Sequence, residues 1–431
     1  MKKIWIMMLL AVGMIACSEK NTPDSSEATA ADSTATVSPG DTTITVIDTI
    51  AIAWNGANAT ISGSHDSVSV TSSNGYVTVN STVKDIAYLL SGSGQGQLTI
   101  YGTNRHQLIL NSLTLTCSDG PAINNQCHKK CYTVLQGTNS LTDGSSYASS
   151  DEDRKGTFFS EGQIIMTGGG SLTIKANYKN GLCSDDYIRF AASTGTLNIT
   201  AVNKGIEAND GIYFEGGKFV INASGEGIES DSILVVSGGE LYVKSADDAI
   251  NAGDDLYITG GMVCAYSTGN DGIDANGNCY IQGGLVYAMG ARDPEVAIDA
   301  NSEEQKKLYV QGGTIVTIGK LESGASLEQA CYQASGSTNT WYAMTVGNET
   351  FAFKTPSSNA STIVVSGASQ PSLYKGVTAS GTSIFEGMGY YPGTYTGGSS
   401  VSLSEYSNTS GGPGGGPGGG PGGGGHGPGG W

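Results

Sequence analysis

Carboxylate and amide side chains return at a fixed step through the middle of this chain. Asp185, Asp186, Glu207, Asn209, Asp210, Glu226, Glu229, Asp231, Asp248, Asp254, Asp271 and Asp274 all lie within or beside a repeated turn. Its clearest copies are Gly181-Leu-Cys-Ser-Asp-Asp186, Gly205-Ile-Glu-Ala-Asn-Asp210, Gly227-Ile-Glu-Ser-Asp231 and Ala249-Ile-Asn-Ala-Gly-Asp254. Oxygen ligands gathered in this way suit hard cations, of which Ca²⁺ takes six to eight oxygens. A single Asp or Asn in such a turn is also explained by the turn itself, because both tolerate left-handed backbone and bond their own main chain. The clustered set asks for more. Carboxylates stacked at strand spacing repel one another, and bound Ca²⁺ in discrete sites would relieve that cost.

The spacing also says what positions these residues. Turns start at residues 156, 181, 205, 227, 249, 272 and 297, a step of 22–25 residues. So short and regular a period marks a solenoid. Each repeat holds three short runs of alternating apolar residues. Ile206/Ala208, Ile228/Ser230 and Ile250/Ala252 face inward in the first, Ile212/Phe214 and Leu234/Val236 in the second, and Phe219/Ile221 and Leu241/Val243 in the third. Runs of period two separated by Gly turns are strands. The expected fold is all-β: a parallel β-helix of three-stranded coils, in which like positions stack about 4.8 Å apart. The Leu-x-x-Leu-x-Leu frame of a leucine-rich repeat is missing.

On the second strand Arg189, Tyr213, Tyr257, Tyr280 and Tyr309 fall in one outward column, and Tyr242 and Tyr287 point outward on the third. Two readings are open for the tyrosine column. Tyr is favoured at strand positions for its β-propensity; an exposed aromatic stripe also marks an interaction surface, and sugar rings stack on aromatic faces. Tyr213, Tyr257, Tyr280, Tyr309 and Arg189 are therefore the candidate carbohydrate contacts.

Formal net charge is −18, from 39 Asp+Glu against 21 Lys+Arg. Nucleic-acid binding needs a basic face, so it is excluded. Lys2 and Lys3, the apolar run Ile4 to Ile15 and Ala16-Cys17 read as an export signal. Met14-Ile-Ala-Cys17 resembles a bacterial lipobox, which makes residues 1–16 a signal peptide and Cys17 a lipidated membrane anchor. Ser18 after it resembles lipoproteins released to the outer membrane, so the expected location is the outer membrane or cell surface of a Gram-negative bacterium. Residues 17–43 read as a Ser/Thr-rich tether, 44–319 as the β-helix, 320–410 as an irregular β cap, and 411–431 as a disordered Gly/Pro tail. Asp143 to Lys155 is expected to protrude as a loop. Cys117, Cys127 and Cys131 leave room for one disulfide, whose pairing the sequence does not fix, and Cys279 faces the core as a free thiol.

Several segments together resemble a known family: Asn111-Ser-Leu-Thr-Leu-Thr-Cys117, Leu135-Gln-Gly-Thr-Asn139, Gly170-Ser-Leu-Thr-Ile174, Asn180-Gly-Leu-Cys-Ser-Asp-Asp186 and the later Gly-Ile-Asp/Glu turns. They are similar to bacterial extracellular carbohydrate-binding proteins with a polysaccharide-lyase-like, right-handed parallel β-helix. That resemblance, from about Ile44 to Gly319, implies binding of calcium, cellulose and acidic sugars. The Asp that often precedes the Gly-Ile step is absent at Asn180, Lys204 and Val296, which weights the site to the middle coils, Glu207 to Asp274. The expected protein is a surface lipoprotein that binds polysaccharide without chemistry. The alternatives are a calcium-dependent pectate-type lyase, for which Arg189, Lys204 or Arg292 would be the base, and a structural adhesin. His65, His106 and His128 fall outside the evident repeats and offer no triad.

Overall fold

The computed structural model describes residues 42–407. The signal peptide, Cys17, the tether up to Asp41 and the Gly/Pro tail lie outside the described residues.

The alternation read from sequence closes into a parallel β-solenoid. First strands stack in one sheet of ten, running back from Ile273–Ala275 to Val68–Ser73. Their inward residues lie in register, Leu182 on Ile206, Ile228, Ile250 and Ile273. Second strands align Ile188, Ile212, Leu234, Leu256, Cys279 and Leu308; third strands align Leu172, Leu197, Phe219, Leu241, Val263, Val286 and Ile315. Every one of these residues is buried, each contributing about 1.5–3 kcal/mol for a large side chain. Phe190 stacks on Phe214 at 4.9 Å, and Phe219 meets both rings edge-on.

The corner between second and third strands is a column of glycines. Gly217, Gly239, Gly261, Gly284 and Gly313 have φ of 96°, 90°, 76°, 79° and 90°. Only glycine adopts this backbone without steric cost. In two coils the strand runs unbroken through the corner, as Gly211–Ala223 and Ile233–Ser245.

Parallel coils begin well before the evident repeats. Asp48–Gly56, Ile86–Gln95 and His106–Thr116 already stack in parallel. His106, which sequence placed outside the array, opens the last of these strands and is buried.

The C-terminal β cap includes a closed four-stranded barrel: Trp341–Val346, Glu349–Lys354, Gly389–Val401 and Ser372–Ile384. Cys331–Ser335 and Thr362–Ser366 add antiparallel strands beside Thr314–Ile318. Tyr342, Met344, Phe351, Phe353 and Phe385 join one apolar cluster with the outward residues Cys264, Leu285, Tyr287 and Val316 of the third strands. Tyr287 was expected to point into solvent. It is fully buried instead, its hydroxyl donating to the Lys354 carbonyl at 2.9 Å, and Tyr242 is half-buried against the same cluster.

Two further expectations are corrected. The loop from Asp143 to Lys155 does not protrude but folds back: Asn124 donates to Glu152 at 3.0 Å, Ala148 N–H donates to the Asp119 carbonyl at 2.7 Å, and the Tyr101 hydroxyl bonds Glu152. Cys117, Cys127 and Cys131 form no disulfide. All seven described cysteines are free and buried, and these three thiols face different partners, Asp119, the Asn104 carbonyl and Thr133.

A candidate cation site on the acidic face

The outward column of the first-strand sheet reads Cys183, Glu207, Glu229, Asn251, Asp274. A further parallel bridge pairs Ile273 with Ile298, which sets Asp299 beside Asp274, and Ile298 with Leu321, which brings Glu322 next. A neighbouring column, in which each backbone N–H after the turn bonds the coil above, carries Lys204, Glu226, Asp248, Asp271 and Val296.

Charge divides this face in two. In the N-terminal half lysines neutralise it: Lys155 Nζ lies 2.6 Å from Asp185, and Lys204 pairs with Glu207 at 3.2 Å and with Glu229. Cys183 Sγ donates to Glu207 at 3.0 Å, and Asn180 also bonds that carboxylate. Asp231 is exposed but near enough to feel Lys204; burial raises its pKa and the lysine lowers it. Glu207 and Glu229, expected at the centre of a cation site, are thus already compensated by protein. Asp186 and Asp210 form a separate pair on the following turn, where burial and then the neighbouring carboxylate push Asp186 up to about 6. Asn209, Asp254 and Glu226 join neither group.

In the C-terminal half the next residue of the neighbouring column after Val296 is Lys320, whose Nζ pairs with Asp293 at 3.0 Å and not with the aspartates of the face. One oxygen from each of Asp271, Asp274 and Asp299 lies within 4.8 Å of the others. Asp248 adjoins them, its Oδ1 accepting the Asp271 N–H at 2.8 Å. Burial above all, with Asp274 adding repulsion, raises Asp248 to about 8 and Asp271 to about 7. Burial raises Asp274 too. Asp299 lies well above the usual carboxylate range, through burial and its hydrogen bond with Glu322. One rung below Asp274, Asn251 Oδ1 is buried with no hydrogen-bond partner. An all-oxygen donor set with an orphaned amide oxygen beside it fits a hard divalent cation.

Of the predicted residues, the structure therefore brings together Asp248, Asp271 and Asp274. Asp299 and Glu322 complete the group, and sequence reasoning left both out of the cation set. Asp299 does stand in the outward column by spacing, but its repeat begins with Val296 in place of Asp; Glu322 falls after the last clear repeat.

The tyrosine column is continuous at one end. Tyr257 stacks on Tyr280 at 4.7 Å and 7°, and Tyr280 on Tyr309 at 4.8 Å and 8°. Both faces of Tyr280 are thereby covered by neighbours, which leaves ring edges and hydroxyls for a sugar. The Tyr257 hydroxyl donates to Asp255 at 3.0 Å. Tyr213 stands apart beyond Val235 and meets Tyr187 edge-on at 6.1 Å. Arg189, expected on the surface, is buried: its Nε and Nη2 donate to Glu215 at 2.7 and 3.2 Å. A guanidinium satisfied in this way is a fold element and not a glycan contact. Two of the three bases considered for a lyase, Arg189 and Lys204, are thus held in ion pairs.

A parallel β-solenoid with an acidic outer face defines the class. A family model described as carbohydrate-binding domain-containing protein matches residues 73–324 and 226–369, and the chain belongs to this family. A solved structure of a polysaccharide lyase-like protein from C. thermocellum, a gadolinium derivative, is similar with a TM-score of 0.44 and 19% sequence identity, covering 64% of this chain and 98% of that one. No curated protein matches.

Proposed function

We propose that this carbohydrate-binding protein is a lipid-anchored surface protein that holds polysaccharide without catalysing a reaction. In this reading a divalent cation, Ca²⁺ outside the cell, is bound by Asp271, Asp274 and Asp299, with Asn251 and Asp248 beside them. The carrying observation is the convergence of three carboxylates within 4.8 Å with no lysine in the group. When bound, the cation supplies positive charge on an otherwise anionic face, where a uronate carboxylate or sugar hydroxyls can reach it. The chain's own part is to fix the oxygens: main-chain N–H groups of Asp271 and Val296 hold Asp248 and Asp271 in place.

A glycan array run with Ca²⁺ and with EDTA tests the reading. Retention of acidic glycans that EDTA abolishes, and that Asp274→Asn also abolishes, supports it. EDTA-insensitive binding of acidic glycans removes the cation from the account, and no retention of any glycan favours a structural adhesin. Release of unsaturated uronate, seen by ultraviolet absorbance on polygalacturonate with Ca²⁺, would instead establish a lyase.

A further inference from the structure

The corner between first and second strands changes sign along the solenoid. Main-chain bonds join its earliest rungs: Ile47 N–H donates to Asp85, Asp85 N–H to Arg105 and His106 N–H to Lys130, at 3.0, 3.0 and 3.2 Å. Ile47, Lys84, Lys129 and Lys130 therefore share one edge. Lys84 and Lys129 are exposed and Lys130 is half-buried. Among the described residues none of the three makes an ion pair. The acids beside them are occupied, Asp85 by Arg105 at 2.6 Å and Asp48 by the Thr49 N–H at 2.7 Å. Ile47, at the head of the edge, is 62% exposed, more than any other large apolar side chain among the described residues. Further along, the same edge carries Asp186, Asp210, Asp254 and Asp255. Charge follows this division throughout: residues 42–142 hold four acidic and four basic side chains, residues 143–407 thirty against fourteen.

We propose that this basic edge, with Ile47, docks on an anionic lipid bilayer and holds the solenoid with its N-terminal end toward the membrane. The inference rests on the lipid-anchored reading above and uses none of the cation-site residues. Residues 17–41 separate the anchor from Thr42 and reach at most about 90 Å. So long a tether leaves orientation to the folded domain. Thr42 lies five residues before Ile47, so the edge nearest the anchor along the chain is the one that carries the lysines. Headgroup phosphates attract lysine only within about a Debye length. The early coils can enter that layer, whereas the acidic continuation of the edge is repelled and tilts away. An exposed apolar side chain beside basic ones is the combination that holds a protein at the headgroup boundary. An acidic polymer in solution would meet the lysines but gain nothing from Ile47. Three lysines at an anionic surface bias a tethered domain by on the order of a hundredfold. Docking also places the cation site. From Ile123 the first-strand ladder climbs through Phe158, Leu182, Ile206, Ile228 and Ile250 to Ile273. At about 4.8 Å per coil, these steps carry Asp274 up to roughly 30 Å from the headgroups, out where a polymer can be met.

The test is lysine acetylation, read by mass spectrometry, of the chain from residue 17 on, coupled through Cys17 to maleimide-bearing lipid in vesicles. The seven described thiols are buried, which directs coupling to Cys17, and this coupling is the same whether or not the cell acylates that residue. The mass of the N-terminal peptide of cell-made protein reports acylation separately, so the anchor and the docking edge fail distinguishably. Phosphatidylcholine vesicles with about one third phosphatidylglycerol should slow acetylation of Lys84, Lys129 and Lys130 at least about fivefold relative to phosphatidylcholine alone. Lys306 and Lys307, at the far end of the same edge, should react equally on both, and high salt should erase the difference. Lys129→Gln with Lys130→Gln should return Lys84 to its rate on neutral vesicles without changing the melt. Equal acetylation of Lys84, Lys129 and Lys130 on both vesicles, or equal protection of Lys306 and Lys307, overturns the docking edge. Protection by soluble polygalacturonate but not by vesicles also overturns it and assigns the lysines to glycan.

Discussion

Without a cation, the acidic cluster should make the protein less stable as pH rises. Asp271 is 7% exposed and titrates at about 7 in the fold, against 3.8 ordinarily. A folded pKa above the unfolded one means that the fold keeps a proton the unfolded chain has released. Its stabilisation is complete below about pH 4 and is lost as pH climbs through 7. From pH 5 to 8 the difference falls from nearly one proton to about a tenth of one, and at about 1.4 kcal/mol per proton per pH unit the loss comes to about 3 kcal/mol in all. Asp248, raised to about 8, acts in the same direction. For a domain of this size about 3 kcal/mol corresponds to roughly 4 °C in Tm. Thermal unfolding followed by circular dichroism in EDTA should show Tm falling by at least that much from pH 5 to 8. Saturating Ca²⁺ at about 100 times its Kd adds about 2.7 kcal/mol, and protons compete with it, so its gain should be larger at pH 8 than at pH 5. Asp271→Asn should flatten the pH dependence. A Tm that is level or rising between pH 5 and 8 in EDTA, or a Ca²⁺ gain equal at both, would refute the reasoning.

Other perturbations probe the neighbouring parts. Lys204→Ala strips both Glu207 and Glu229 of their cation and should cost about 2–4 kcal/mol; added Ca²⁺ should recover part of that loss in a melt, and a melt unchanged by the substitution would show the pairs to be idle. Tyr280→Ala removes two stacked ring contacts, each worth about 0.5–1.5 kcal/mol beyond the buried area. It should lower Tm while leaving glycan retention intact, and lost retention at unaltered Tm would restore the column as a sugar platform. Arg189→Met leaves Glu215 without its bidentate partner and should destabilise by about 3 kcal/mol, measured by urea unfolding; Glu215→Leu in the same chain should recover much of it.

The solenoid was legible because its periodicity is local. Ile206, Ile228, Ile250 and Ile273 recur at nearly constant spacing, and all four are buried in one ladder. Alternation gives the face on which a side chain lies but not what covers that face. Tyr287 and Tyr257 are both outward by pattern, yet the barrel buries one and a tyrosine stack flanks the other, because the covering elements come from elsewhere in the chain. The acidic columns were equally readable as columns. Their compensation was not, since Lys155 reaches Asp185 from a loop 30 residues earlier. The earliest coils were legible only as alternation and not as repeats, because Ile86–Gln95 and His106–Thr116 lack the Gly-Ile step that makes later turns conspicuous.

The antiparallel strands at both ends of the solenoid control its length. Each parallel coil offers its edge as a template for another, and an exposed edge invites addition of a second chain. Asp48–Gly56 turns back on itself through Asn58–Ser62, and Tyr76–Ser81 through Val68–Ser73. At the other end Thr362–Ser366 runs against Thr314–Ile318. A reversed strand breaks the parallel register that a further coil would continue, so these edges do not repeat the template of the coils between them.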